Sequence, residues 1–568
     1  MLASLQQSLV AVANDYGKRQ GSRARRDGSS CVHGEIAPYL QCINNDNNGA
    51  MRMFHINISA LAVRLNSLRT LILALAVAGS VSACGGGGSS AAGGGQPNPP
   101  PTGPTPPVSF NNIYYVDGSA ADDSGTGSSS SPKKYLQSAI ALMSANGNDA
   151  VVIAAGTYEH ALDSISAVRN GQDGAYNVIK AAVDGTVVVR NLALPNSAAY
   201  IRFEGLKWDS ATVKSIRGHH LKFMRCAFSG GPPNGNTSTL SIGTNDVDPG
   251  AHHILLEDVW AYGLGGRYNI IVFNSDKVVL RRVVVRHDGG WGGNGSDPEA
   301  GITIYNSTDT RIENAIVFDS TATYTQYWEA AFYHVKNAST TRAHVGTQIV
   351  GSMALNNLGG GFAYDDLGPI EATLTDSVVW ANGSGITLND KGGSSPGHTV
   401  RASGVTIGAT TGHGVAMYGG GPNTLDLRNS IMASVGGDLF RINNGSLAQV
   451  FNNCYLPTSS ACAQALNPST NGLLYLPRIE TGSTLASSGE GGARIGAHLV
   501  NRIGVSGTLF GDTGFSDVTA TSLWPWPNEA RIRADMCIPA LPVRGWCAGS
   551  ASLTSYIWNY LGNGVPSF

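Results

Sequence analysis

The chain has 568 residues, a formal net charge of −2 and only 13% charged residues, against roughly 25% in ordinary soluble domains. No basic stripe crosses it, which argues against a nucleic-acid partner. With 73 Gly and only 14 Phe, its composition suits many tight turns around a thin core.

Residues 1–50 look unrelated to the rest of the chain, with Arg23, Arg25 and Arg26 as a small basic cluster. An export signal comes next. Arg64 and Arg69 precede the apolar run Leu71-Ile-Leu-Ala-Leu-Ala-Val-Ala78, and small residues lead from Gly79 to Cys84. This run is too short to span a bilayer as a helix and reads as a signal peptide. Val81-Ser-Ala-Cys84 resembles the lipobox of bacterial lipoproteins, which implies that Cys84 is lipidated and becomes the new N-terminus. The alternative is a soluble secreted protein. Because export signals stand at the N-terminus, translation is expected to begin at Met51 or Met53. Residues 1–50 are then an upstream extension, 51–84 the signal peptide and 85–107 a Gly/Ser-rich then Pro-rich linker. Many Gram-negative lipoproteins carry an inner-membrane aspartate where this chain has Gly85. The resemblance therefore implies an outer-membrane lipoprotein facing the surface or the periplasm, with no other membrane contact.

Residues 108–160 read as an N-terminal cap with the first strands. Leu136, Ala139, Ile140 and Met143 make one apolar helical stripe, with Ser131 and Pro132 suited to the helix start. Tyr114-Tyr-Val-Asp117, this helix, Val151-Val-Ile153 and Gly156-Thr-Tyr158 together resemble the opening of bacterial pectin-lyase-like β-helices.

Residues 161–460 are read as the coils; from Leu206 to Cys454 a short alternating segment returns about every 25 residues, as in Phe203-Glu-Gly-Leu206, Phe223-Met-Arg-Cys226 and Leu256-Glu-Asp-Val259. It continues through Leu280-Arg-Arg-Val283, Ile312-Glu-Asn-Ala315, Val350-Gly-Ser-Met353 and Ala402-Ser-Gly-Val405 to Phe451-Asn-Asn-Cys454. No such segment buries its apolar face alone, and stacked turns solve that problem. Glycine-led strands at Gly301, Gly361, Gly385 and Gly414 recur in the same internal order. The prediction is an all-β, right-handed parallel β-helix with a capping helix before it and a capping region after it. An antiparallel sandwich gives no reason for that order. Val259, Val283, Ala315, Met353 and Val405 are expected to stack inward.

Residues 461–568 are the C-terminal coils and cap, with helices expected over 528–536 and 552–561. Trp546, Tyr556, Trp558 and Tyr560 read as a hydrophobic lid, with a sugar-stacking platform as the alternative. Two local disulfides are expected, Cys454–Cys462 and Cys537–Cys547, with Cys226 free and buried. No Cys/His spacing matches a zinc site, and no Gly-rich phosphate loop is present.

The turns after the glycine-led strands carry Tyr305, Asp365, Asp366, Asn389, Asp390, Lys391 and Tyr418. Asp366 and Asp390 lie 24 residues apart, one coil, so their carboxylates would nearly stack at about 4.8 Å. Such a pair repels unless one acid is protonated, or Ca2+ or Lys391 lies between. The plainer alternative is solvated turn aspartates bonding nearby backbone. Two long insertions, His287–Glu299 with Trp291 and Tyr324–Glu329 with Trp328, suit the walls of a carbohydrate groove. His334 and Lys336 follow the second. Lys391, Lys336 and His334 are therefore the candidate catalytic residues. Tyr305, Trp291, Trp328, Asn389 and Tyr418 are candidate sugar contacts, and Asp365, Asp366 and Asp390 candidate calcium ligands.

Asn356-Asn357…Gly361-Phe362, Asn382-Gly-Ser-Gly-Ile-Thr-Leu388 and Gly397-His398 resemble family-nine pectate lyases over roughly residues 350–430. The chain has Gly359 and Gly360 where that family has calcium-binding acids, and Thr387 where it has its catalytic lysine. Gly412-His413-Gly414 resembles the Gly-His-Gly of polygalacturonases, but lies 48 residues from Asp365, two coils instead of one. Two functions are compatible with these features. One is a surface-anchored monomeric lyase that cleaves a uronate polysaccharide by β-elimination. The other is a non-catalytic glycan-binding or envelope module.

Overall fold

The computed structural model describes residues 109–568 except 234, 245–249, 264–265, 290–299, 322–329, 338–341, 393–396, 451–452, 457–483 and 562–568. Before residue 109 it describes three strands, Ser30–His33, Tyr39–Asn45 and Met51–Asn57. The chain divides into two compact units, Met1–Thr105 and Pro106–Phe568. In the first, the three strands form an antiparallel sheet with Cys31 opposite Cys42. Cys84 and the expected linker lie outside the described residues.

In the second unit, alternation sets the strands. In Ala199–Glu204 every second side chain is buried. Phe203 pairs in parallel with Ile179 on the preceding coil and Phe223 on the next. Repeating this step produces three parallel sheets. The first has 13 strands from Ile113–Val116 to Ser446–Val450, and the second has 12 from Gly156–Tyr158 to Cys454–Leu456. The third has nine strands, from Lys214–Ile216 to Phe440–Ile442. From Ala199 onward the chain visits the sheets in that order on each turn, and the fold is a parallel β-solenoid of right-handed type with about nine turns.

Its core is a ladder of like side chains. Phe203 stacks on Phe223 at 4.6 Å, and Phe332 on Phe362 at 4.7 Å, the spacing of hydrogen-bonded strands. The corner between the first and second sheets uses one residue of positive φ per coil, such as Gly205 (68°), Asn314 (50°) and Gly351 (60°).

That corner fixes the register. Val259, Val283, Ala315 and Val405 are fully buried in the inner core, as expected. Met353 is buried too, but on the other face: it pairs with Ile316, one residue after Ala315, and belongs to an outer cluster. Ser352 takes the inward place, its Oγ accepting from the Ala315 N–H at 3.1 Å. A slip of one residue reverses the face of a strand.

The outer cluster exists because the C-terminal segment runs back along the second sheet. Leu499, Leu523, Trp524, Trp546, Ile557 and Trp558 pack there against Trp260, Val284, Ile316, Phe318 and Met353. Burial of Trp546 and Trp558 makes them a lid rather than a sugar platform, and the lid lies along the flank of the stack. Polar anchors hold it. Arg281, fully buried, binds Glu313 at 2.7 Å and the Phe515 carbonyl at 2.7 Å. Asp319 accepts from the Trp546 N–H and the Tyr556 hydroxyl, each at 2.8 Å.

The predicted helices are present as Leu136–Ile140, Glu529–Met536 and Leu553–Tyr560. The first begins at Leu136 rather than Pro132 and buries Leu136, Ala139 and Ile140; Met143, buried in the same core, lies beyond its end. Cys537 and Cys547 are bonded, Cys226 is free and buried, and Cys454 is disulfide-bonded. Its expected partner Cys462 lies outside the described residues.

Candidate functional site

The third sheet brings most of the candidate residues together because its strands pair at one-coil spacing. One row across it reads Phe273, Tyr305, Val335, Asp365, Asn389 and Tyr418. Two residues earlier on each strand runs Ile271, Thr303, Tyr333, Ala363, Thr387 and Ala416. Residues of the intervening row, including Val272, Ile304, Tyr364 and Leu388, belong to the inner core. Side chains two apart share a face, so the first two rows form the outer surface. Tyr305, Asp365, Asn389 and Tyr418 thus lie in one row, within the strands rather than in the turns after them, while Lys336, Asp366 and Asp390 fall one residue later in the register.

Asp365 is the centre of this face and is fully buried. Its Oδ2 accepts from the Tyr333 hydroxyl at 2.5 Å and pairs with Lys391 Nζ at 2.7 Å. Its Oδ1 accepts from Asn389 Nδ2 at 2.8 Å. Burial and the Asp365 charge hold the Tyr333 phenol well above its ordinary pKa. The Lys391 side chain keeps 39% of its surface exposed, so this cation reaches both the buried acid and solvent.

Asp366 and Asp390 are paired in register, with Lys336 one coil before Asp366. Asp390 is fully buried and its Oδ1 accepts from the Gly392 N–H at 3.0 Å. Burial first, then the Asp365 charge, raises the pKa of Asp366. Lys336 donates to the Asn337 carbonyl at 2.8 Å, and burial lowers its pKa against a smaller opposing effect of Asp366. Among the described residues the three aspartates do not converge as a three-ligand set; His220, His252 and His253 do, within 4.8 Å. Lys391 supplies the positive charge beside Asp365.

His334 sits on the inner row instead. It is fully buried, stacked on Tyr364 at 4.6 Å, and burial drives its pKa well below the ordinary value. Its strand, Ala330–Lys336, is buried at every position, so exposure gave no sign of which face it takes. It has no place in the groove wall. Trp291 and Trp328 lie outside the described residues.

A cavity of about 650 Å³ opens on the same sheet toward its earlier coils. Arg267, Tyr268, Phe273, Asn274, Tyr305 and Asn337 are among the residues that line it. The Arg267 guanidinium lies 5.0 Å from the Tyr268 ring, a cation–π distance, and Tyr305 and Phe273 meet edge to face at 5.0 Å. Tyr268, Tyr333 and Val335 pack in one outer cluster against Ile271 and Tyr305, so the cavity and the Asp365 group share a continuous surface. Arg267, Tyr268 and Phe273 escaped the sequence reading; their one signal was the aromatic run Tyr268…Phe273 directly after an arginine.

No family model matches the chain, and no curated protein sequence does. Solved structures that resemble it are β-helix polysaccharide lyases and glycoside hydrolases. A pectate lyase, Pel9A, is 17% identical over 68% of this chain and 96% of its own, with a TM-score of 0.39. An alginate lyase from a Paenibacillus species is 14% identical over 55% and 94%, with a TM-score of 0.30. The catalytic unit of an alpha-1,3-glucanase from Streptomyces thermodiastaticus is 11% identical over 56% and 65%, with a TM-score of 0.40. At those scores none of them bears on substrate or chemistry.

Proposed function

We propose that the outer face of the third sheet is a glycan-binding groove, and that the chain acts on an acidic, uronate-containing polysaccharide by β-elimination. One observation supports this most: an aromatic- and amide-lined cavity adjoins a group of Tyr333, Asp365, Asn389 and Lys391 on one surface. Aromatic rings take sugar faces, amides take hydroxyls, and Arg267 and Lys391 offer cations for uronate carboxylates. In β-elimination a base takes the proton α to the carboxylate, the β C–O bond breaks and the departing oxygen takes a proton. Lys336 is the candidate base carried from the sequence; it ends the strand two residues after the inward His334, and burial lowers its pKa. Export and lipid anchoring at Cys84 belong to the same proposal and rest on the signal sequence alone.

The alternative, a binding module without catalysis, draws on the commitment of Lys391 to Asp365 and of Lys336 to a backbone carbonyl. Incubation with polygalacturonate, alginate and other uronate polymers, with and without calcium, separates the two. Ultraviolet absorbance of unsaturated ends, lost in Lys336→Met, supports the lyase. Binding without absorbance supports the module, and neither would end the proposal.

A further inference from the structure

We propose that His219, His220, His252 and His253 form a site for a borderline divalent transition ion of the Zn2+, Ni2+ or Cu2+ class. The four side chains lie on successive coils at the corner leading into the first sheet, where His219 pairs with His252. Nδ1 of His219 lies 2.9 Å from Nδ1 of His220, and the same contact, 2.9 Å, joins His252 and His253. Between coils, His219 stacks on His252 at 4.9 Å and His220 on His253 at 4.6 Å. The result is a rectangle of imidazoles, and the donors of His220, His252 and His253 all fall within 4.8 Å of one another.

The corner itself is general. Tyr200, Lys277 and Asp309 occupy the same place on other coils with φ of 56°, 54° and 50°, close to the 52° of His220 and His253. What is particular to these two coils is the histidine pair. Every ring is partly exposed, so an ion has access. Burial lowers the pKa of all four rings, the direction that favours the neutral imidazole a metal binds. Asp173 and Asp512 favour positive charge at His220, Asp276 does so at His252, and Lys277 opposes it at His252 and His253.

Imidazole is the ligand of choice for such ions, whereas Ca2+ prefers oxygen. Tetrahedral Zn–N bonds of about 2.0–2.1 Å place nitrogens about 3.3 Å apart. Each 2.9 Å pair must therefore open by about 0.4 Å, and the stacked rings must tilt toward each other. The Nδ1 contact holds one proton per pair, and its shift to Nε2 frees both Nδ1 atoms without changing charge.

Isothermal titration of the full chain with ZnCl2, NiCl2 and CaCl2 tests this, alongside His220→Gln, His253→Gln and the double variant. The expected result is one zinc or nickel ion per chain, no calcium at this site, and about tenfold or more weaker binding in each single variant. X-ray absorption of the zinc-loaded wild type should show three or four imidazole nitrogens. That readout holds even if a variant misfolds. No stoichiometric zinc binding, undiminished binding in a folded double variant, or an oxygen- or sulfur-dominated spectrum would overturn the site.

Discussion

Lys391→Met is the sharpest perturbation of the candidate groove. It leaves Asp365, at no exposure, without its cation, while Tyr333 and Asn389 still bond it at 2.5 and 2.8 Å. Removing one partner of a wholly buried pair costs about 3–5 kcal/mol. Lys391 is 39% exposed, so solvent screens the pair and part of that cost vanishes. The remainder is about 1–2 kcal/mol, in the range of one hydrogen bond to a charged group. Urea denaturation at neutral pH, followed by tryptophan fluorescence and by circular dichroism, measures it. Stability equal to wild type at neutral pH would refute the claim that Lys391 holds this carboxylate.

Asp319→Ala should loosen the C-terminal segment by about 2–3 kcal/mol, since it orphans the Trp546 N–H and the Tyr556 hydroxyl; faster proteolysis after residue 484 reports it. The histidine corner should make the protein lose stability in acid. The folded pKa of His253, about 4, lies below its ordinary 6.5, so between those values the unfolded chain binds more protons and stability rises with pH. Replacing all four histidines by Gln should flatten that slope in metal-free buffer. Cys84→Ser should abolish lipidation and release the protein from membranes, because stable anchoring takes at least two acyl chains; unchanged fractionation and mass would refute the lipobox.

The solenoid was legible because its repeat is physical: each coil must present the same alternation to its neighbours, and Phe203, Phe223 and Leu256 do so in register. The errors have physical causes. The second sheet is buried on both faces, by the core and by the returning C-terminal segment, so Met353 looks as inward as Ala315. His334 was misplaced for a different reason: it lies on the third sheet, on the inward row of a strand buried at every position. Asp365, Asn389, Tyr305 and Tyr418 were found together because each stands at the same offset from a glycine at or near the start of its strand, although they belong to the strands and not to the turns after them. The histidine corner was missed although His-His recurs in the register of Phe223 and Leu256, because the search for metal ligands followed sequence spacing rather than coil spacing.

The central claim is that acidic glycan binds the outer face of the third sheet. Its most direct test is calorimetric titration of uronate oligosaccharides into wild type, Tyr305→Ala, Lys391→Met and Arg401→Ala. Arg401 serves as the control, being 58% exposed on the first sheet and paired with Glu371. Loss of one charge-assisted contact should weaken binding about tenfold or more in Lys391→Met, and Tyr305→Ala should also bind less tightly, with Arg401→Ala unchanged. Equal affinity in all four proteins, or loss in Arg401→Ala alone, would contradict it.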